Sequence, residues 1–308
     1  MNETVFDKKK VVKYLVWTFA LAYAIQAGVW LLYRRGHIIS GQLVMACMMF
    51  VPTLGVFFAG QSLKGMGWRP GIKKNIRPFL AAWLAPAVLT VAGALLYFLV
   101  FPGHFDMSGS YIALTAGSEA LEQMRGQGVS YGLYVVISAV CAVTYAPLIN
   151  CITGLGEEIG WRGFLYPQLK ARFGYRKGAV LGGIIWGAWH WPLIYLIDYE
   201  YGAAAGNNAG YFGFPVTGML LFCVFTVSAG IICDRLYEKS GSIWFPSVFH
   251  GAINAAAALP LAVCMTDTGS ARLLGPAPNG LIAGLPLIII AAVFFIRKNE
   301  EGRVAQSM

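Results

Sequence analysis

The chain has 308 residues, of which 57% are hydrophobic and 12% charged, with a net charge of +9 and a mean hydropathy of +0.62. Soluble globular domains carry about 25% charged residues, so this composition excludes an ordinary soluble fold and points to an integral membrane protein. The positive balance raises nucleic acid as a partner, but the charges sit in short clusters between apolar runs, and that distribution argues against it.

In chain order, eight apolar runs approach the length needed to cross roughly 30 Å of hydrocarbon. They cover residues 11–33, 39–60, 79–101, 131–155, 179–197, 216–233, 243–263 and 281–296. The last is short and precedes a charged tail. The expected fold is an all-α polytopic helix bundle of about eight transmembrane helices, forming a single integral membrane domain over residues 1–308 in contact with the lipid bilayer. Lys8, Lys9 and Lys10 precede the first run, and Lys64, Arg69, Lys73, Lys74 and Arg77 separate the second from the third. Lys170, Arg172, Arg176 and Lys177 separate the fourth from the fifth. Arg235 and Lys239 separate the sixth from the seventh, and Arg297, Lys298 and Arg303 follow the eighth. Basic clusters in alternate connections place both termini in the cytoplasm; Arg34 and Arg35 run against that pattern.

The Lys-rich start and the "AYA" at residues 22–24 resemble a signal peptide, but the apolar run continues past that point, so an uncleaved anchor is expected. The 102–130 connection contains "SEALEQM", read as an interfacial or external helix; the 198–215 connection is rich in Gly, Ala and Tyr and reads as a mobile loop. The six cysteines, scattered and without a C-x-x-C, read as small buried thiols. The first three runs hold almost no ionisable group beyond Lys13. Residues 1–130 are therefore read as accessory helices, and the chemistry is expected within residues 145–254.

An ionisable residue at membrane depth is costly and is by default a functional hypothesis. The set here is Glu157, Glu158, Arg162, His190 and His250, with Asn254 as a polar companion. On a helix, Glu158 and Arg162 stand at i and i+4 and can pair. Glu157 is rotated by about 100° from Glu158 and has Trp161 at its own i+4, so it is expected to lack a local partner and to serve as a general base. The bland reading is two solvated acids at a helix end. In "WGAWHWP", Trp186 lies one turn before His190, and Pro192 is expected to kink the helix beside the histidine. In "FHGAIN", His250 and Asn254 at i and i+4 are expected to share a face. For each histidine the bland reading is a helix–helix hydrogen bond. Glu157 at the cytoplasmic end of one run, with His190 and His250 entering from the same side, suggests one inward-opening cavity able to activate a water. A metal such as Zn²⁺ held by Glu157, His190 and His250 is the other way to activate it; no H-E-x-x-H occurs.

E-E-x-x-x-R, aromatic-x-x-x-H and H-x-x-x-N, in this order, resemble the CAAX protease and bacteriocin-processing family, whose best-known members are the Ras-converting CAAX endopeptidases. The likeness runs from about Tyr145 to Asn254. The resemblance implies an intramembrane endopeptidase acting on a peptide or membrane-protein substrate. It assigns water activation to Glu157 and His190, oxyanion stabilisation to His250 and Asn254, and supporting roles to Glu158, Arg162 and the aromatic Trp186. The family is described both as metal-dependent and as glutamate-dependent, and Zn²⁺ stays open, as do oligomeric state and prenylation of the substrate. Short loops and the lack of added domains look like a bacterial member in the cell membrane, with the site opening to the cytoplasm. Two other readings stand beside the protease: a non-catalytic immunity or scaffold protein of the same fold, and a proton- or metal-coupled transporter.

Overall fold

The computed structural model describes residues 4–197 and 210–307, with side chains to residue 297. The expected mobile loop over 198–215 therefore falls largely outside the described residues, as do the side chains of Lys298 and Arg303. Apolar stretches deprived of water must satisfy their backbone internally, and helices do so. They are α1 (Lys8–Arg34), α2 (Ile38–Met48), α3 (Val51–Phe58), α4 (Ile76–Val100), α5 (Ser110–Ala116), α6 (Ser118–Gly126) and α7 (Tyr131–Val143). There follow α8 (Ala146–Gly160), α9 (Tyr166–Trp189), α10 (Trp191–Ile197), α11 (Val216–Ser240), α12 (Trp244–Ala262) and α13 (Leu285–Ser307). A π-helical turn, Trp161–Leu165, joins α8 to α9. Among the described residues the chain is a helical membrane bundle, and only an isolated bridge between Phe105 and Cys264 departs from it. The "SEALEQM" segment is helical, as α6.

Five helices are long and apolar enough to cross a membrane, or up to seven if each of two bent pairs is one span. The expected eight differ from this in several ways: the 39–60 run bends by 40° between α2 and α3, the eighth is only a short apolar helix over Leu285–Arg297, and two further differences have a physical cause. The 131–155 run breaks at Thr144 (φ −102°, ψ −89°) into α7 and α8. Pro147 has no N–H to return to Val143 O, and the indole of Trp83 on α4 donates to that carbonyl instead at 2.8 Å. In the second, helix continues from α8 through the π turn into α9, where a connection over residues 156–178 is expected, and is interrupted at Gly174. The run doubles back at Gly174, whose φ of 76° and ψ of 167° suit glycine alone. A Cβ on Gly178 would stand 2.7 Å from Lys170 Cα, and one on Gly182 would stand 2.6 Å from the Tyr166 ring. Those two contacts share one register, so the arms on either side of Gly174 are antiparallel and in close contact.

Against this hairpin pack α11, on α9, and α12, on both α8 and α4. Lys170 near the hairpin tip donates to Asp234 at 2.7 Å and Glu238 at 2.9 Å of α11. α1 lies across the catalytic-candidate helices: Tyr14 packs edge-on to Trp161 and against Phe164. The main apolar core therefore includes α1 together with the hairpin, α11 and α12. Four of the six cysteines are buried and Cys141 is half-buried, but Cys47 is exposed.

Candidate active site

The two adjacent acids are not at a helix end. Glu157 lies 17 residues before Gly174 and His190 lies 16 after it. At about 1.5 Å per residue both stand roughly 25 Å from the hairpin tip, on facing arms. Helical phase and antiparallel register thus bring the first and second motifs to one depth, well inside the bundle. Glu157 is 2% exposed and Glu158 0%, which removes the reading as solvated acids.

Glu158 behaves as its spacing predicts. Its Oε1 accepts from Arg162 Nη1 at 2.9 Å, with both side chains fully buried. The same oxygen accepts from His250 Nδ1 at 2.9 Å, so the carboxylate ties α12 to the α8 segment. Arg162 also donates from Nη2 to Gly230 O at 3.1 Å and lies over the rings of Tyr166 and Trp186 at 4.5 and 4.8 Å. A buried charge pair needs such added donors, acceptors and rings to offset desolvation. Glu158 Oε2 and Arg162 Nε have no protein partner.

Glu157 corrects the expectation that it lacks a local partner. Its Oε2 accepts from the indole N–H of Trp161 at 2.9 Å and from that of Trp186 at 2.8 Å. The aromatic at i+4 is itself the partner; an apolar reading of tryptophan hid its N–H. Neither donor carries charge, so the acid is oriented without being neutralised by an ion pair. Its other oxygen, Oε1, stands 4.0 Å from His250 Nε2. Since a carboxylate can only accept, His250 Nδ1 carries the proton shared with Glu158, and in the neutral ring Nε2 is an acceptor facing Glu157.

His190 ends α9, and the helix breaks there before α10, as Pro192 predicts. Its Nδ1 donates to Trp186 O at 3.0 Å, which leaves Nε2 unengaged by that bond. The ring stacks edge-on to Trp189, itself edge-on to Trp161, and packs on Phe222. Glu157, Glu158, Arg162, Trp186 and His250 are thus in one connected cluster, and His190 joins it through Trp186 and Trp189.

Asn254, one turn on from His250 along α12, has a different setting. His250 is 4% exposed and packs its Cβ beside Gly154, whereas Asn254 is exposed. The antiparallel register of α12 on α8, in which Gly251 meets Asn150 and Cys151, puts Asn254 level with Pro147. There α8 is only beginning, and the α7–α8 break leaves position 254 uncovered.

Among the described residues no three His, Cys, Asp or Glu side chains are grouped to hold a metal ion. Two ligands at about 2.1 Å from a tetrahedral zinc would lie about 3.4 Å apart, closer than the 4.0 Å between Glu157 Oε1 and His250 Nε2. Glu157 and His250 as they stand are therefore further apart than two ligands of one tetrahedral zinc.

Residues 125–256 match the Type II CAAX prenyl endopeptidase Rce1-like family. The chain is also 33% identical over 99 residues to CAAX prenyl protease 2 of Methanococcus maripaludis. That alignment covers 32% of this chain and 34% of the relative, so the chain matches about a third of the relative's length. Every site residue described above falls inside the 125–256 match.

Proposed function

We propose, from the match of residues 125–256 to the Rce1-like CAAX prenyl endopeptidase family, that the chain is an intramembrane endopeptidase that hydrolyses a peptide bond within its helical bundle. The observation that carries the reading is the pair formed by Glu157 Oε1 and His250 Nε2, 4.0 Å apart and buried. Two facing acceptors at that spacing suit one water that donates a hydrogen to each. Its lone pairs then point away, towards a carbonyl carbon, and Glu157 takes its proton as attack proceeds. The two indole N–H groups fix the carboxylate plane during that step.

His190 is assigned to share in water activation through Nε2, and Glu157 returns the proton it has taken to the leaving amine. Asn254, through its side-chain N–H, is assigned to the oxyanion together with His250, whose Nε2 accepts from the hydroxyl left on the tetrahedral carbon. Asn254 is exposed, one helical turn on from His250, and is assigned to meet an entering peptide. Glu158 and Arg162 hold His250 in its tautomer and α8 against α11. The name of the relative supports prenylated substrates as one class to test; the opening is assigned to the side of the basic connections, taken as cytoplasmic.

The test is cleavage of a labelled peptide library, prenylated and unprenylated, by full-length protein in proteoliposomes, with products read by mass spectrometry. The parent should cleave, and Glu157→Gln and His190→Ala should each lose activity at unchanged yield of folded protein. Cleavage by neither parent nor variants, or by all alike, would refute the assignment. A chelator arm decides the metal: activity indifferent to chelation fits the water-only reading, and loss restored by Zn²⁺ overturns it.

A further inference from the structure

The break beside His190 is maintained from outside the catalytic-candidate helices. Pro192 has no N–H, so Ala188 O loses its partner in the helical ladder. The hydroxyl of Tyr23, on α1, donates to that carbonyl at 2.9 Å. At the next step of the ladder Trp189 O and Leu193 N are i and i+4, the ordinary partners of an α-helix. The amide of Gln26, three residues on from Tyr23, stands between them. Its Nε2 donates to Trp189 O at 2.7 Å, and its Oε1 accepts from Leu193 N at 3.1 Å. A side chain inserted into the ladder is a recognised cause of a sharp helix break. Gln26 is 0% exposed inside an otherwise apolar span. A buried amide there is costly unless all its groups are used, and both of these are used on the two residues that flank His190, Trp191 and Pro192.

We infer that Gln26, assisted by Tyr23, is a positioning residue for His190: it wedges the α9–α10 ladder open and so sets the direction in which the His190 ring faces the Glu157 cluster. Residue 190 has φ −92° and ψ −8°, off the helix and at the break itself. Closing the ladder would draw it back into regular helix and rotate its ring with it. The α1 stripe that carries the wedge is continuous. Tyr14, Thr18 and Gln26 are all fully buried and spaced at multiples of four, so one face of α1 is built against the hairpin. Misplacement of a reacting group by about 1 Å can cost a hundredfold in rate.

This role rests on His190 acting in the proposed reaction, but its test has an arm that does not. The chain has four histidines, so the full-length protein labelled at histidine Cε1 gives a simple carbon spectrum, with each signal assigned by single replacement. Gln26→Met keeps the length and removes both hydrogen-bonding groups. It should move the His190 signal while leaving those of His37 and His104 in place, and lower kcat about tenfold to a hundredfold with KM within about twofold. Tyr23→Phe should shift the same signal in the same direction by less. Gln26→Glu, which when protonated again donates and accepts, should return the signal and kcat towards the parent as pH falls. A Gln26→Met protein with parental His190 signal and kcat would overturn the role. So would one whose melting temperature drops without movement of that signal. If Gln26→Met does not fold, Tyr23→Phe and Gln26→Glu decide: parental signals and kcat in Tyr23→Phe, with no pH recovery in Gln26→Glu, contradict the wedge. A parent that cleaves no peptide refutes the protease reading, and the His190 signal still decides the wedge.

Discussion

At the scale of single residues the site separates two adjacent acids by the chemistry of what donates to them. Glu158 receives a guanidinium and an imidazole; Glu157 receives two indoles. The first is held as a charge, the second as an oriented carboxylate with one oxygen free. This changes the weight of Trp186. As aromatic packing residues, tryptophan and phenylalanine are equivalent at position 186. Phenylalanine, however, cannot donate to Glu157. A hydrogen bond to a charged group contributes about 1.5–3 kcal/mol. Trp186→Phe should therefore lower kcat by roughly tenfold or more with KM near the parent, and should also lower the melting temperature, because the same bond is made in the resting fold. Steady-state kinetics on the reconstituted protein measures it, and an unchanged kcat would show that Trp161 alone orients the acid. Arg162→Ala removes one partner of a buried pair and should cost about 3–5 kcal/mol of stability, read from unfolding in detergent. Folding at parental stability would mean that His250 suffices to hold the Glu158 charge. The i, i+4 pairing of Glu158 with Arg162 was legible from spacing. The indole donors and Gln26 were not, because an indole N–H and a neutral amide do not stand out in an apolar run as ionisable groups do.

At the scale of elements, close backbone approach positions the clusters. A Cβ on Gly251 would lie 2.4 Å from Cys151 N and 2.7 Å from Pro147 O, backbone that cannot yield like a flexible side chain. Gly251 follows His250 directly, so Gly251→Ala should push α12 away from α8 and lengthen the His250–Glu158 contact. Overpacking costs about 1–3 kcal/mol, and melting temperature and cleavage rate should fall together. Retention of both would show that α12 is free to slide. The breaks in the helices were only partly readable. Pro192 signals its own, but the split between α7 and α8 needs Trp83 from another helix to satisfy Val143 O. The basic stretch 170–177 reads as a loop by charge, yet its residues are helical on both sides of a single glycine. Of its charges Lys170 is paired with Asp234 and Glu238, whereas Arg172, Arg176 and Lys177 are exposed.

At the scale of the molecule, the polytopic helical architecture follows from composition and apolar run length, and the motif region coincides with the matched segment 125–256. Motif residues reach one depth because the hairpin at Gly174 faces Glu157 with Trp186 across its arms. The first helix was read as accessory because it carries little charge; its buried stripe, from Tyr14 to Gln26, nevertheless closes over the hairpin. Asn254 is the residue whose setting could least be read ahead, since its exposure depends on where a different helix begins.

The central claim is that the neighbouring acids divide the work, Glu157 in the chemistry and Glu158 in holding the bundle. Glu157→Gln and Glu158→Gln, reconstituted side by side, test it through one paired measurement of cleavage rate and thermal unfolding. The expected result is a Glu157→Gln protein that melts like the parent and does not cleave, beside a Glu158→Gln protein that melts earlier because Arg162 is left unpaired in the core. A Glu157→Gln protein that still cleaves, or a Glu158→Gln protein of parental stability that does not, would contradict that division.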